Sequence, residues 1–184
     1  MVTAQSLDTK IRNRAVFLDR DGVINRAIVK GGKPYAPREL KEFRLLPGAT
    51  AAVQDLKCSG FVIFVVTNQP DIGHGLIDPQ ALERMHERLR ERLPIDDIRV
   101  CPHRQDEGCM CRKPRPGMLN SLAEEWNIDM AGSYMIGDRE SDINAGKNAG
   151  CKTILIDRNY AEGCSVKPNF RVRSIRDSIE LIQF

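Results

Sequence analysis

A short apolar run that ends in two aspartates and a glycine is the feature that most limits how this chain can fold. Residues 15–18 are apolar, and Asp19 and Asp21 follow them, separated only by Arg20. The pattern predicts a buried strand that stops abruptly at a charged tip, where Gly22 lets the backbone turn. In a parallel α/β sheet such tips lie at the carboxyl edge, where ligands bind. Because side chains two residues apart in an extended chain point the same way, both carboxylates can face one cavity.

Strands and helices alternate along the rest of the chain. The first strand is followed by predicted strands over 61–67, 98–101, 133–137 and 152–156, and by predicted helices over 49–57, 79–92, 116–126, 140–148 and 174–182. This alternation predicts an α/β fold, with a Rossmann-like three-layer α/β/α arrangement around a mainly parallel sheet. The polar stretch 26–47 is interpreted as a long loop, with or without a short hairpin. Loops of that length inside compact domains are usually functional, and the alternative is a plain surface insertion.

Length and composition indicate one domain with a substantial core. The 184 residues are 41% hydrophobic and 29% charged, which is ordinary for a folded protein. No linker divides the chain, so we expect a single domain over 1–184 with a polar N-terminal tail over 1–13. The tail lacks the apolar core of a signal peptide, and no apolar run is long enough to span a bilayer. We therefore expect a cytoplasmic protein without membrane contact, either a monomer or a weak homodimer.

Polar residues also follow the second and fourth predicted strands. The second ends in Thr67, Asn68 and Gln69, whose hydroxyl and amide groups can donate to phosphoryl oxygens. The fourth ends in Asp138, and Asp142 follows in the next helix. Hydrolysis of a phosphate monoester needs a nucleophile, charge neutralisation and a proton carrier together. The strand ends supply all of these groups, although a lone pair of aspartates would equally fit a solvated loop.

The aspartates divide naturally into catalytic and metal-binding roles. Asp19 suits the nucleophile, and Asp21 suits the acid and base, because a like charge and partial burial help it to hold a proton. An ionised Asp19 and a dianionic phosphate repel each other, so a divalent cation is expected between them, and Mg²⁺ prefers oxygen ligands. Asp138 is the candidate for the second carboxylate ligand, with Asp142 supporting it. The alternative for Asp138 is a helix N-cap.

Taken together, these motifs resemble those of the haloacid dehalogenase (HAD) superfamily of phosphatases. The matching segments lie in order at 19–23, 66–69, 113–114 and 137–142. The resemblance implies that Asp19 forms an aspartyl phosphate, while Asp21 protonates the leaving oxygen and then activates water. It further implies that Thr67 and Lys113 hold the phosphoryl group. By the same likeness, Mg²⁺ binds Asp19, the backbone carbonyl of Asp21, and Asp138.

A cluster of residues of the types that bind metal ions precedes the third motif, at 113–114. Its members are Cys101, His103, Cys109 and Cys111, in the pattern C-x-H-x5-C-x-C. Three thiolates and one imidazole match a closed tetrahedral Zn²⁺ site, and the alternatives are redox-active or merely buried cysteines. Disulfides are not expected, because cytosolic thiols are kept reduced. The expected role of this zinc loop, residues 101–111, is structural: it would fix the segment that carries Arg112 and Lys113.

The zinc loop narrows the resemblance to subgroup IIIA of the superfamily. That subgroup is similar in its motifs at 19–25 and 111–118, and its members act on heptose bisphosphates and on histidinol phosphate. The first motif and the segment 116–118 favour a sugar bisphosphate, whereas the short spacer between His103 and Cys109 favours histidinol phosphate. Pro70, Asp71 and His74 depart from the subgroup pattern where specificity is decided, so the reaction type follows more firmly than the substrate.

Substrate contacts are expected from residues near the strand tips and from the long loop. The gaps between motifs leave no room for a cap domain, so loops or a partner subunit must close the pocket. We expect the basic loop 26–47 and Arg112 to recognise a second anionic group, with Arg20, Asn68 and Gln69 as further contacts. The expected partner is a small phosphorylated metabolite, in the main hypothesis a sugar bisphosphate.

Other classes of function are less well matched. A polynucleotide 3′-phosphatase would share the first motif, but the chain has no basic, aromatic-rich groove signature and its net charge is only +3, so no nucleic acid partner is expected. A zinc-stabilised binding module without catalysis would require all the motif carboxylates to be idle. His74 lies in a glycine-rich loop, where it could contact the substrate or be incidental.

Overall fold

The computed structural model describes residues 12–182. The strands are β1 (Ala15–Leu18), β2 (Ile28–Lys30), β3 (Lys33–Tyr35), β4 (Val62–Asn68), β5 (Asp97–Cys101), β6 (Tyr134–Gly137), β7 (Lys152–Ile156) and β8 (Phe170–Val172). The helices are α1 (Ala49–Cys58), α2 (Pro70–Gly73), α3 (Pro79–Arg92), α4 (Gly117–Trp126) and α5 (Glu140–Ala149), followed by a 3₁₀ helix (Arg176–Leu181). No helix within this described range is long and apolar enough to cross a membrane.

A six-stranded sheet in the order β5-β4-β1-β6-β7-β8 forms the centre of the molecule. Every neighbouring pair in it is parallel, which confirms the predicted parallel α/β fold. The strand that carries the first motif, β1, lies between β4 and β6, and these are the strands that end in the other polar motifs. Because all the strands run the same way, their polar ends meet at one edge of the sheet.

The alternation of side chains along the strands gives the sheet two buried faces. Val16 and Leu18 of β1 point into one apolar cluster, which also contains the buried residues of α1 and α3. Ala15 and Phe17 point into a second cluster with the buried residues of α4. Helices therefore cover both faces, and the predicted three-layer arrangement is confirmed.

Most predicted elements appear with bounds that differ by no more than a residue. Helix α3 covers the predicted residues 79–92 because Asp78 caps its N-terminus, Pro79 occupies its first turn, and an apolar stripe faces the core. The closing helix predicted over 174–182 is a 3₁₀ helix over Arg176–Leu181 instead. Only Ser178 in that short segment is buried, and so short a segment gains little from α-helical propagation.

Four further elements, β2, β3, α2 and β8, lie outside the strands and helices that the sequence predicts. The loop 26–47 contains a hairpin, β2 and β3, whose turn residues Gly31 and Gly32 both have positive φ, as a tight hairpin turn requires. The short elements α2 and β8 have no clear periodic pattern in the sequence. Of the predicted tail over 1–13, residues 1–11 lie outside the described residues, and Asn13 forms a parallel bridge with Ile128.

Candidate active site

The end of β1, strand β4 and the start of α5 converge on one buried ammonium group, that of Lys113. Nζ of Lys113 lies 2.6 Å from Oδ1 of Asp19 and 2.7 Å from Oδ1 of Asp142. It also donates to the backbone carbonyl of Val66 at 2.7 Å. The structure thus brings together the predicted nucleophile, the predicted phosphoryl-binding lysine and one acidic residue of the fourth motif.

Burial and like charges govern the ionisation of the central carboxylates. Burial raises the pKa of Asp19 to about 7, because the pull of Lys113 towards ionisation is offset by burial and by repulsion from Asp142. Burial and the Asp19 charge likewise raise the pKa of Asp138 well above its usual range. Although burial opposes its charge, Asp142 and Asp19 raise the pKa of Lys113 above its usual range, so it remains protonated. Three carboxylates thus lie together, and the ammonium of Lys113 pairs with two of them, an arrangement that favours an additional cation.

The donor set fits a hard divalent cation. Carboxylate oxygens of Asp19, Asp138 and Asp142 lie within 4.8 Å of one another. Both oxygens of Asp142 already have partners, since Lys113 contacts Oδ1 and the backbone N–H of Arg139 donates to Oδ2. Oδ1 of Asp138, in contrast, is buried and has no hydrogen-bond partner among the described residues. An all-oxygen set with an unsatisfied buried carboxylate oxygen is what Mg²⁺ prefers, and it favours Asp138 over Asp142 as the ligand.

Gly22 allows the tips of β1 and β6 to approach each other. Its φ is +87°, and a Cβ at this position would lie 1.8 Å from Oδ2 of Asp138. Any side chain here would therefore displace the carboxylate of Asp138. The backbone N–H of Asp19 donates to the carbonyl of Ile136 at 2.9 Å, which extends the pairing of the two strands up to the motif aspartate.

The carboxylate of Asp21 is held by three side chains. Nη2 of Arg20 donates to its two oxygens at 2.9 and 3.0 Å. Asn25 donates to Oδ1 at 2.9 Å, and Gln69 donates to Oδ2 at 2.8 Å. The sequence predicts the negative charge of Asp19 beside Asp21. The structure adds the buried guanidinium of Arg20 as a direct partner. Asp21 lines the same cavity as Asp19 in a fixed orientation.

The predicted role of Arg20 as a substrate contact does not fit its position. Its side chain is fully buried, and its guanidinium lies 5.7 Å above the ring of Phe43. Nη1 lies 3.2 Å from Nε2 of His86, and because arginine can only donate, the histidine nitrogen accepts. Burial and the neighbouring Arg20 lower the pKa of His86 to about 4, so the ring is neutral. Arg20 faces the protein interior because it pairs with Asp21 and His86.

The two amides predicted as substrate contacts bind protein groups instead. Asn68 donates to the backbone carbonyl of Lys113 and accepts from its backbone N–H, both at 3.1 Å. Gln69 is fully buried and donates to Oγ1 of Thr67 at 2.8 Å as well as to Asp21. These contacts fix the lysine backbone and leave the hydroxyl proton of Thr67 available for a ligand in the cavity it lines.

A cavity of about 350 Å³ opens above these residues. Its floor contains Asp19, Asp21, Thr67 and Lys113. Its rim carries basic and aromatic groups from the hairpin, from the segment after β4, and from the segments beside α4 and α5, namely Lys33, Tyr35, His74, Arg112 and Arg139. Arg112 donates to the carbonyl of His103 at 3.3 Å and still lines the cavity.

The zinc-loop residues come together as the sequence predicts. Sγ of Cys101 lies 3.6 Å from Nδ1 of His103 and from Sγ of Cys109. Cys111 lies 3.2 Å from Nδ1 of His103 and 3.5 Å from Cys109. Tetrahedral Zn²⁺ with bonds of about 2.0–2.3 Å holds its ligand atoms roughly 3.3–3.8 Å apart, so the four side chains fit this ion.

Tyr160 and His86 are among the residues at the site that the sequence does not predict. The hydroxyl of Tyr160 donates to Oδ2 of Asp138 at 2.7 Å, and burial together with Asp138 raises the pKa of this tyrosine above its usual range. His86 supports Arg20 from within α3. The available signal for Tyr160 was its place just after β7, another strand that ends at the carboxyl edge. His86 lies on the buried side of an amphipathic helix, where sequence patterns do not separate a packing residue from a functional one.

The parallel sheet and the cavity at its carboxyl edge are those of an α/β phosphatase. Residues 110–180 match the HAD-hydrolase-like family. The chain is 36% identical to a D-glycero-β-D-manno-heptose-1,7-bisphosphate 7-phosphatase of Pseudomonas putida, over 81% of this chain and 85% of that protein. The chain therefore belongs to the HAD family of phosphatases, which hydrolyse phosphoric monoesters.

Two further comparisons agree with this assignment. A D-glycero-α-D-manno-heptose-1,7-bisphosphate 7-phosphatase of Burkholderia mallei is 34% identical, over 94% of this chain and 95% of that one. The crystal structure of a D,D-heptose 1,7-bisphosphate phosphatase from B. bronchiseptica, complexed with magnesium and phosphate, superposes with a TM-score of 0.80. It is 30% identical and covers 91% of this chain and 97% of its own.

The buried histidine gives a testable pH dependence of stability. The pKa of His86 is lowered from 6.5 to about 4 in the folded chain. The unfolded chain therefore binds a proton first as the pH falls, and the folded state loses stability between about pH 6.5 and pH 4. We expect His86→Gln, which keeps an acceptor for Arg20, to remove about 2 kcal/mol of the stability loss between pH 6.5 and pH 5. Urea unfolding at several pH values measures this.

The matched control for that measurement is His74→Gln, at an exposed position. Its pH dependence should follow the parent chain. If His86→Gln and the parent lose the same free energy of unfolding between pH 6.5 and pH 5, His86 is not neutral in the folded state.

Proposed function

We propose that this chain hydrolyses the 7-phosphate of D-glycero-D-manno-heptose 1,7-bisphosphate, using Mg²⁺ for catalysis and Zn²⁺ for structure. The observation that carries the proposal is the buried contact of Lys113 with Asp19 beneath a cavity that has a basic rim. Relatives that match this chain over most of its length are named for that reaction. The proposal also takes the chain to act as a single domain.

Asp19 is the proposed nucleophile, and its oxygen attacks phosphorus to form an aspartyl phosphate. Lys113 lies against the same carboxylate and balances charge on the transferred group, and the hydroxyl of Thr67 donates to a phosphoryl oxygen. Splitting the reaction into formation and hydrolysis of this intermediate replaces one difficult step with two easier ones. Asp142 supports Lys113 rather than touching the substrate.

Asp21 is the proposed general acid and base. It protonates the leaving sugar oxygen in the first step and takes a proton from the attacking water in the second. Arg20, Asn25 and Gln69 fix the orientation of its carboxylate towards the cavity. A fixed orientation matters because a proton carrier must lie within hydrogen-bond reach of both the leaving oxygen and the water.

Asp19, Asp138 and the backbone carbonyl of Asp21 are the proposed Mg²⁺ ligands. When bound, Mg²⁺ supplies positive charge that offsets the repulsion between the phosphate and the nucleophile. The fit rests on the buried, unpartnered Oδ1 of Asp138 and on the all-oxygen donor set. The similar B. bronchiseptica structure is described as a complex with magnesium and phosphate, which supports the same choice.

A second anionic group on the substrate is the proposed partner of the basic rim. Lys33, His74 and Arg112 line the same cavity as the nucleophile. Arg139 also lines it, but its guanidinium already makes two hydrogen bonds to Glu162, at 2.7 and 3.0 Å. Arg112 makes one long hydrogen bond, so its fork of donors suits a phosphate better than that of Arg139 does.

The main test measures the turnover of a substrate panel of several phosphate esters by the parent chain and by the Asp19→Asn variant, which lacks the nucleophile. We expect Mg²⁺-dependent turnover of both heptose bisphosphate anomers to exceed turnover of histidinol phosphate, and Asp19→Asn to lower kcat by at least about 10³-fold. Mass spectrometry of the quenched enzyme should find phosphate on residue 19 during turnover. Steady-state phosphate release with and without added MgCl₂ provides the rates.

The control for this panel is Asp55→Asn, an exposed aspartate on α1, which should keep parental rates. A parent chain no more active than Asp19→Asn on every substrate would favour a binding module without catalysis. Preferred turnover of histidinol phosphate would keep the reaction type and reject the heptose substrate.

Arg112→Ala tests recognition of the second anion. Loss of a charge-assisted hydrogen bond to a phosphate costs about 1.5–3 kcal/mol, so kcat/KM on the sugar bisphosphate should fall about 10- to 100-fold. The rate on an aryl phosphate, which has no second anion, should change less than about threefold. The matched control is Arg104→Ala, an exposed arginine of the zinc loop that does not line the cavity. An equal loss on both substrates would contradict the assignment.

Cys111→Ser tests the structural zinc. We expect elemental analysis to find about one Zn²⁺ per parent chain, and Cys111→Ser to lose it together with thermal stability and activity, because Arg112 and Lys113 follow this ligand directly. The matched control is Cys58→Ser, an exposed cysteine far from the cluster in sequence. A parent chain purified without zinc, or full zinc content in Cys111→Ser, would contradict the proposed site.

A further inference from the structure

The segment 157–163, which follows β7, supports the proposed Mg²⁺ site and lies outside the four motifs described above. Its Tyr160 donates a hydrogen bond to Oδ2 of Asp138 at 2.7 Å. Tyr160 is not among the residues that line the catalytic cavity. Among the described residues, the contact that links this hydroxyl to the proposed metal site is the one with the carboxylate of Asp138.

The hydrogen bond divides the two oxygens of Asp138 between different tasks. Oδ2 accepts from Tyr160, whereas Oδ1 is buried and has no hydrogen-bond partner among residues 12–182. A carboxylate that is held through one oxygen cannot rotate freely, and its other oxygen is presented in a fixed direction. Ligating carboxylates are commonly held by such outer hydrogen bonds, which tune the affinity for the metal.

The position of Tyr160 is itself fixed by its neighbours in the segment. Nε of Arg158 donates to the backbone carbonyl of Gly22 at 2.8 Å, beside the first motif. The backbone N–H of Ala161 donates to the carbonyl of Gly32 at 3.0 Å, in the turn of the hairpin. Glu162 pairs with Arg139 at the start of α5. The segment thus spans the ends of β1 and β6 and the hairpin, and Tyr160 lies in the middle of it.

We propose that Tyr160 is a positioning residue of the metal site, which holds Oδ2 of Asp138 so that Oδ1 is directed at Mg²⁺. The inference rests on the proposed function in that the cation is Mg²⁺, but it does not depend on which phosphate ester is the substrate. It assigns a role to a residue outside the motifs that carry the chemistry.

Direct metal binding tests this role without any substrate. Tyr160→Phe removes the hydroxyl and keeps the ring, so the fold should survive, as thermal unfolding of the zinc-loaded protein without added Mg²⁺ would check. We expect the Kd for Mg²⁺, from calorimetric titration with MgCl₂, to rise about 10-fold or more. The same ratio should appear when Mn²⁺ binding is followed by the loss of the free-ion electron spin resonance signal.

The matched control is Glu162→Gln, which breaks an ion pair of the same segment and leaves the hydroxyl of Tyr160 in place. Its Kd for Mg²⁺ should stay within about twofold of the parent. An unchanged Kd in Tyr160→Phe would overturn the proposal. So would equal weakening in both variants, since that would assign the effect to the order of the segment and not to the hydroxyl.

A double-mutant cycle distinguishes action through Asp138 from a general effect on the site. In the Asp138→Asn background, Tyr160→Phe should change Mn²⁺ binding by less than about twofold. A full effect in that background would overturn the proposed route. Failure of the heptose proposal would appear only in the substrate panel and would leave these binding ratios unchanged, so the two failures are distinguishable.

Discussion

The buried ammonium of Lys113 is the contact on which the site depends. It joins Asp19 at the tip of β1, Asp142 at the start of α5 and the backbone of β4. Removing one partner of a buried ion pair costs about 3–5 kcal/mol, because the remaining charge is left without compensation. The lysine therefore holds these elements together as well as balancing charge, and the excess of carboxylates around it creates the demand for a divalent cation.

Lys113 belongs to neither a strand nor a helix, so its position has to come from elsewhere. Asn68 holds its backbone through a pair of hydrogen bonds, and the proposed zinc ligand Cys111 lies two residues before it. Another of the proposed ligands, Cys101, is the last residue of β5, and its carbonyl accepts from the backbone N–H of Gln69. The zinc loop thus connects the edge of the sheet to the segment that delivers the cation, which gives it a structural link to catalysis.

The sequence predicts what local patterns and side-chain chemistry determine. The bounds of α3 follow from Asp78, Pro79 and an apolar stripe, and the meeting of Asp19 with Asp138 follows from parallel strands that end in aspartates. Orientation depends on tertiary packing and was not predictable. Arg20 faces inward because His86, on a distant helix, accepts its hydrogen bond. Tyr160 comes from a segment without periodic pattern, so no local signal links it to Asp138.

The groups suited to the reaction and the groups that select the substrate lie in different parts of the cavity. The floor is built from strand ends whose places the sheet fixes, and its groups suit any phosphate monoester. The rim is built from the hairpin, from the segment around His74 and from Arg112. The hairpin turn accepts a hydrogen bond at Gly32 from the backbone N–H of Ala161, whereas the buried ion pairs of Lys113 are made with Asp19 and Asp142. Changes in the rim can therefore alter which phosphate monoester binds without disturbing the buried ion pairs below. The groups on the floor thus indicate the reaction type, whereas the choice of substrate depends on the rim.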